Sequence, residues 1–155
     1  DTHGSEGFGG PKGCLNVYAG ELSLIKKYVE EKQAWDNKSS IEKKDIKLEN
    51  LVELSKNGDQ IATDILKEAG YYIGVAIANL VRIFEIPNII IGGCPNIKDS
   101  VFIQMIENTT VANLRFYFDG VVITPGQLSE QDYSLGGCFL VFDHIFHKPK
   151  LKLQI

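Results

Sequence analysis

Between Asp59 and Pro87 runs "DQIATDILKEAGYYIGVAIANLVRIFEIP", the stretch that most restricts what this chain can fold into. Asp59 suits the N-cap of a helix, and Pro87, with no N–H to donate, ends it. Ile61, Ile65, Ala69, Tyr72, Ala76, Leu80 and Phe84 recur along one face at spacings of three and four. From Gly70 onward nearly every position is apolar or small, which predicts burial on most sides. Gly70, Gly74 and Ala78 stand four apart and form a smooth stripe along which a second backbone can approach. Each mid-helix glycine costs roughly 0.5–1 kcal/mol, which that approach must offset. "NIIIGGCPN" follows at once, a β-branched run closed by a glycine pair, in the pattern of a buried parallel strand.

The flanking segments extend this α/β pattern. Leu15, Tyr18, Leu22, Ile25 and Val29 predict one amphipathic helix from 15 to about 32. "WDNKSSIEKKD" (35–45) reads as a charged, solvated loop, and "LENLVELSK" (48–56) as a short helix closed by Asn57-Gly58. A further helix is expected over 97–111, then a strand over 115–124 that Asp119-Gly120 would break into two pieces. A final apolar helix is expected over 133–146, with the remaining residues, "HKPKLKLQI", as an edge strand or disorder. Helices alternating with strands imply a parallel central pair. So few strands cannot complete a doubly wound sheet, which suggests one lobe of a larger fold.

At 155 residues and 44% hydrophobic content the chain can bury one substantial core. A net charge of −4 leaves no basic footprint for gripping nucleic acid, so any DNA-binding part would have to lie elsewhere. Cys14, Cys94 and Cys138 are odd in number and widely spaced, which points to a reducing compartment, the cytoplasm. No apolar run reaches the roughly 18 residues of a membrane span. The first residues are Asp1-Thr2-His3-Gly4 and the only methionine is Met105, so the chain reads as part of a longer polypeptide.

The motifs that carry chemistry are sparse. "GFGGPKG" (7–13) lacks the GxxxxGK[ST] spacing and the preceding strand of a phosphate loop, and reads as a structural loop. "IIIGGCPN" is the better nucleotide candidate, because ligands of open α/β sheets sit beyond the carboxyl ends of strands. A glycine pair that only turns strand into helix fits equally well. His3, His144 and His147 have no partners at metal-ligand spacing, Ser39 and Ser40 carry no nucleophile signature, and Asp132 and Asp143 read as surface carboxylates.

Three stretches, in order and spacing, resemble the C-terminal half of the ROK family (repressors, open reading frames and kinases). "DTHGSEGFGGPKGCLNVYAG" fits without a gap the family segment D-P-x-G-x-x-C-x-C-G-x-x-G-C-L-E-x-x-A. "GYYIGVAIANLVRIFEIPNIIIGG" looks like the family's long helix, turn and strand, and "VVITPGQLSEQDYSLGGCFLVFDHIF" like its closing strand, loop and last helix. The resemblance spans residues 1–147, leaving 148–155 as a tail. It implies one lobe of an actin-like, ribonuclease-H-like two-lobe fold, with a sugar in the cleft between lobes and, in the kinases, ATP beside it.

Departures from the family pattern qualify that implication. The first two zinc cysteines fall on Gly7 and Gly9 and the third survives as Cys14, so no bound zinc is expected. A sugar-contacting glutamate of the family falls on Asn16, whose amide still hydrogen-bonds a hydroxyl but without a carboxylate's charge-assisted strength. The family's D-x-G-G-T and N-D motifs belong to the other lobe, so no catalytic residue is assigned in this chain. The resemblance then leads to a sugar-sensing regulator that forms a homodimer and binds operator DNA through a domain outside these residues. The alternatives are a sugar kinase using ATP and Mg, whose adenosine would meet the Gly92-Gly93 turn, and a ligand-free structural lobe.

Overall fold

The structure, a computed structural model, describes residues 11–35, 46–92, 97–115, 120–126, 128 and 130–146. The chain forms α1 (Leu15–Ala19), α2 (Glu21–Trp35), α3 (Leu48–Lys56), α4 (Gln60–Phe84), β1 (Asn88–Ile91), α5 (Val101–Leu114), β2 (Val122–Pro125) and α6 (Glu130–Phe146). The strands pair in parallel, with Asn88 opposite Val122 and Ile91 opposite Pro125, as crossover through α5 requires.

Helix α4 is the spine, packed against α1, α2, α3 and α5. Asp59 caps it through its side chain, which accepts from the Ala62 N–H at 3.1 Å. The buried core gathers Leu24, Ile25 and Tyr28 from α2, Leu51 and Val52 from α3, and Phe102, Ile103 and Ile106 from α5 around Ile65, Leu66, Ile77 and Val81. Burial of that apolar surface is the main stabilising term, on the order of 25 cal/mol per Å² removed from water.

The small-residue stripe does what its spacing implies. A Cβ added at Gly70 would lie 2.9 Å from both Met105 Cβ and the Phe102 carbonyl oxygen. At Gly74 it would lie 2.6 Å from Thr109 Cβ and 2.9 Å from the Ile106 carbonyl oxygen. Thr110, fully buried, donates its hydroxyl to the Ile106 carbonyl at 2.8 Å and reaches the Gly74 carbonyl at 3.3 Å. The two helix backbones therefore touch along this line.

Three expectations are corrected. The single helix from residue 15 is two, because Gly20 takes extended backbone angles and α2 starts afresh at Glu21. The buried face of α4 follows the expected series only as far as Ala69; beyond it the seam runs along Gly70, Gly74, Ile77, Ala78 and Val81, leaving Tyr72 and Ala76 half-buried and Leu80 and Phe84 exposed. Where a helix is apolar all round, periodicity cannot choose a face, and α5 settles on the smallest residues because dispersion contacts are densest there. Strand β1 is not buried on both faces: Ile90 is 74% exposed while Ile89 and Ile91 are half-buried. Of the strand expected over 115–124, the second piece is observed as Val122–Pro125, preceded by Gly120 at φ 93°; Arg115 ends α5, and residues 116–119, with the rest of the first piece, lie outside the described residues. Helix α6 forms with Leu135, Phe139, Leu140, Phe142 and Ile145 all exposed. No helix among the described residues is long and apolar enough to cross a membrane.

Candidate functional site

The first candidate region surrounds α1. Cys14, half-buried, is its N-cap in extended conformation and makes no side-chain cap hydrogen bond. Asn16 is exposed in the first turn, one residue past Leu15, which is itself 44% exposed. Tyr18 anchors the short helix by stacking on Tyr72 of α4, with centroids 4.4 Å apart and an interplanar angle of 27°. Tyr71 meets Tyr72 edge-on at 5.6 Å. The Asn16 carbonyl oxygen accepts from the Gly20 N–H at 3.0 Å and from Ser23 Oγ at 3.1 Å, closing the turn between α1 and α2. Gly7 and Gly9 lie outside the described residues, within which no three His, Cys, Asp or Glu side chains gather as a metal ion would need.

The second region is the carboxyl end of the strand pair. Gly92 is exposed just past β1, and the Gly126 N–H donates to the Ile91 carbonyl at 2.7 Å. A Cβ at Gly126 would lie 3.2 Å from that carbonyl oxygen and 3.3 Å from Gly92 Cα. Two glycines thus bring bare backbone together at the strand ends, the place where open α/β sheets bind ligands. Gly93 lies outside the described residues.

A third cluster was not singled out by motif reasoning. Asp59 Oδ2 accepts from Lys32 Nζ at 2.7 Å and from the Tyr28 hydroxyl at 3.0 Å, while Oδ1 takes the Ala62 N–H. Lys32 Nζ also sits 5.8 Å from the Tyr28 ring centroid, within cation–π range. Burial acts to raise the Asp59 carboxyl, but the Lys32, Ala62 and Tyr28 hydrogen bonds outweigh it and hold its pKa below the ordinary value. Burial and the Asp59 carboxylate push the Tyr28 hydroxyl up, and the hydrogen bond to Asp59 raises Lys32. The sequence signal was there: Tyr28 and Lys32 are four apart on α2, with a capping aspartate elsewhere to receive them. Its role is to tie α2 to the start of α4.

Of the remaining candidates, Asp132 and Asp143 are both exposed on α6, eleven residues apart, so roughly 16 Å separates them along the axis at 1.5 Å per residue. They cannot share a proton. His144 stands in the last turn of α6; His3, His147, Ser39 and Ser40 lie outside the described residues.

A parallel strand pair joined by a crossover helix and backed by a long helix is a βαβ arrangement common to many α/β proteins; its likeness to ROK structures makes it one lobe of the actin-like, ribonuclease-H-like two-lobe fold. Solved structures share it. A ROK family transcriptional regulator, a homologue of the Escherichia coli MLC protein, superposes with a TM-score of 0.67 at 22% identity, over 85% of this chain and 34% of that one. A ROK hexokinase from Thermus thermophilus gives a TM-score of 0.64 at 18% identity, over 92% and 45% of the respective chains. A ROK family glucokinase from Streptomyces griseus, solved with glucose and AMPPNP, gives 0.63 at 22%, over 84% and 45%. The chain belongs to the ROK family, whose model matches residues 1–144. It is also 26% identical over 149 residues to a xylose repressor from Caldicellulosiruptor bescii, covering 89% of this chain and 36% of that protein. It therefore spans about a third of the length of that relative.

Proposed function

We propose that residues 1–147 are the sugar-sensing lobe of a ROK transcriptional regulator that represses sugar-utilisation genes in the cytoplasm, with 148–155 a tail. The observation that carries this reading is the similarity to a xylose repressor along 89% of the chain. In it, Asn16 hydrogen-bonds a sugar hydroxyl, the protein is a homodimer, and operator DNA is held by a domain outside these 155 residues.

The chemistry of residue 16 supports a sensor over an enzyme. A kinase must hold its sugar hydroxyl in line for transfer, and small misplacements are costly in rate. A sensor needs only a difference in affinity between two conformations, which an amide can supply. The zinc loop does not fit its metal: Gly7 and Gly9 offer no ligand atom where thiolates would be needed, and Cys14 alone cannot make a tetrahedral site. Elemental analysis of the purified protein is expected to find no zinc; one zinc per chain would refute this.

A sugar kinase is the second reading, favoured by TM-scores of 0.64 and 0.63 to a hexokinase and a glucokinase. In that case the Gly92-Gly93 turn would meet the adenosine of ATP, with Mg bound at its phosphates. Two assays on the full-length protein separate the readings. The regulator is expected to shift its own promoter DNA in a gel, to release it on addition of xylose or a hexose, and to leave a coupled ATPase assay at background. Sugar-dependent ATP turnover with no DNA shift would overturn it.

A further inference from the structure

Residue 20 has backbone angles, φ −74° and ψ 140°, that any L-residue adopts, so conformation does not explain why it is glycine. Space does. A Cβ there would fall 2.2 Å from Asn16 Oδ1, 2.4 Å from the Asn16 carbonyl oxygen and 2.9 Å from Asn16 Cγ. The Asn16 carboxamide therefore lies folded back onto residue 20, in the volume that a side chain would fill. Rotating the carboxamide away would relieve only part of the clash, because the carbonyl oxygen belongs to the backbone. That carbonyl is itself held by the Gly20 N–H and the Ser23 hydroxyl. The carboxamide makes no hydrogen bond to the described residues, and its chemistry offers a ligand two donors and an acceptor.

We propose that Gly20 and Ser23 are positioning residues for Asn16. The Ser23 hydroxyl fixes the carbonyl of residue 16, and the missing Cβ at residue 20 seats its carboxamide in one orientation before sugar arrives. Seating matters because a side chain ordered in advance loses less rotamer freedom on binding. The inference rests on Asn16 being the sugar contact proposed above.

Calorimetric titration of the full-length protein with D-xylose and with D-glucose tests it, using Asn16→Ala, Gly20→Ala, Ser23→Ala and the double variants. Asn16→Ala and Gly20→Ala are each expected to weaken binding about tenfold, the loss of one hydrogen bond near the upper end of its usual strength. In the Asn16→Ala background Gly20→Ala is expected to add less than about twofold, because coupled residues are not additive. The melting temperature should fall in both backgrounds, but by less in Asn16→Ala, where only the clash with the residue-16 carbonyl oxygen is left. Equal weakening of sugar binding in both backgrounds would overturn the proposal, making residue 20 a helix-junction residue only. So would intact affinity in Gly20→Ala while Asn16→Ala still weakens it, an outcome that leaves Asn16 as the contact. If Asn16→Ala has no effect, or neither sugar binds the unaltered protein, the sugar contact itself is refuted and this inference falls with it. Should Gly20→Ala fail to fold, Ser23→Ala carries the same comparison, with an expected weakening of about threefold that vanishes in the Asn16→Ala background.

Discussion

Asp59 does two jobs at one position: one carboxylate oxygen caps α4 and the other receives Lys32 and Tyr28 from α2. Because its folded pKa lies below the unfolded value of about 3.9, the charge contributes stability above that pH, and the contribution is lost as pH falls through the folded value. Lys32 has the opposite sign: raised above about 10.4, its contribution is complete below that pH and is lost as pH rises through the folded value. Asp59→Asn keeps an acceptor for the Ala62 N–H but removes the charge. With Lys32 31% exposed, that charge stabilises by roughly 0.5–1 kcal/mol. Urea melts are expected to show this deficit at pH 7, narrowing as the pH falls through the folded pKa of Asp59. A deficit unchanged across the acid range would mean that the ion pair contributes nothing.

Helix α4 shows how far an element can be read from its residues. Its ends were legible, because a capping aspartate and a proline act locally. Its buried face was legible only as far as Ala69, while polar Asp64, Lys67 and Glu68 still marked the outside. Beyond that point no polar residue breaks the pattern until Asn79 and Arg82, and the face is chosen by α5 rather than by α4. Helices α1 and α2 misled for a related reason: their apolar spacing continues through Gly20, and the break depends on contacts to Asn16 that periodicity does not encode. The Gly70–Gly74 seam gives a graded prediction. Alanine in a helix gains up to about 1 kcal/mol over glycine, but overpacking costs about 1–3 kcal/mol. Gly74→Ala, with the closer contact at 2.6 Å, is expected to lower stability by about 2 kcal/mol, and Gly70→Ala by less. Thermal melts in the reverse order, or a stabilising Gly74→Ala, would show that the helices do not touch there.

At the scale of the molecule, the same missing information explains both the legible fold and the incomplete site. Order of elements and the parallel pair follow from local rules, whereas burial of β1, the outer face of α4 and all of α6 depends on what packs against them. Leu80, Ile83 and Phe84 on α4, Ile90 on β1 and Leu140, Phe142, Ile145 and Phe146 on α6 are exposed, each by more than 45%. Phe142 and Phe146 stack at 5.5 Å, so α6 presents a paired aromatic surface to solvent. Monomeric soluble proteins rarely leave contiguous apolar patches beyond a few hundred Å², and larger ones associate. These 155 residues, expressed alone, are therefore expected to bind a hydrophobic dye strongly and to scatter light as a species heavier than the 17.2 kDa chain. Because α6 contributes three of the six exposed aromatic residues among those described, Phe139, Phe142 and Phe146, and none of its described residues belongs to the core around α4, Leu140→Ser combined with Phe142→Ser is expected to lower both signals without lowering the melting temperature. A monodisperse, dye-silent monomer would show that α6 folds back onto this lobe, and a double variant that unfolds would show that its apolar residues belong to the core after all.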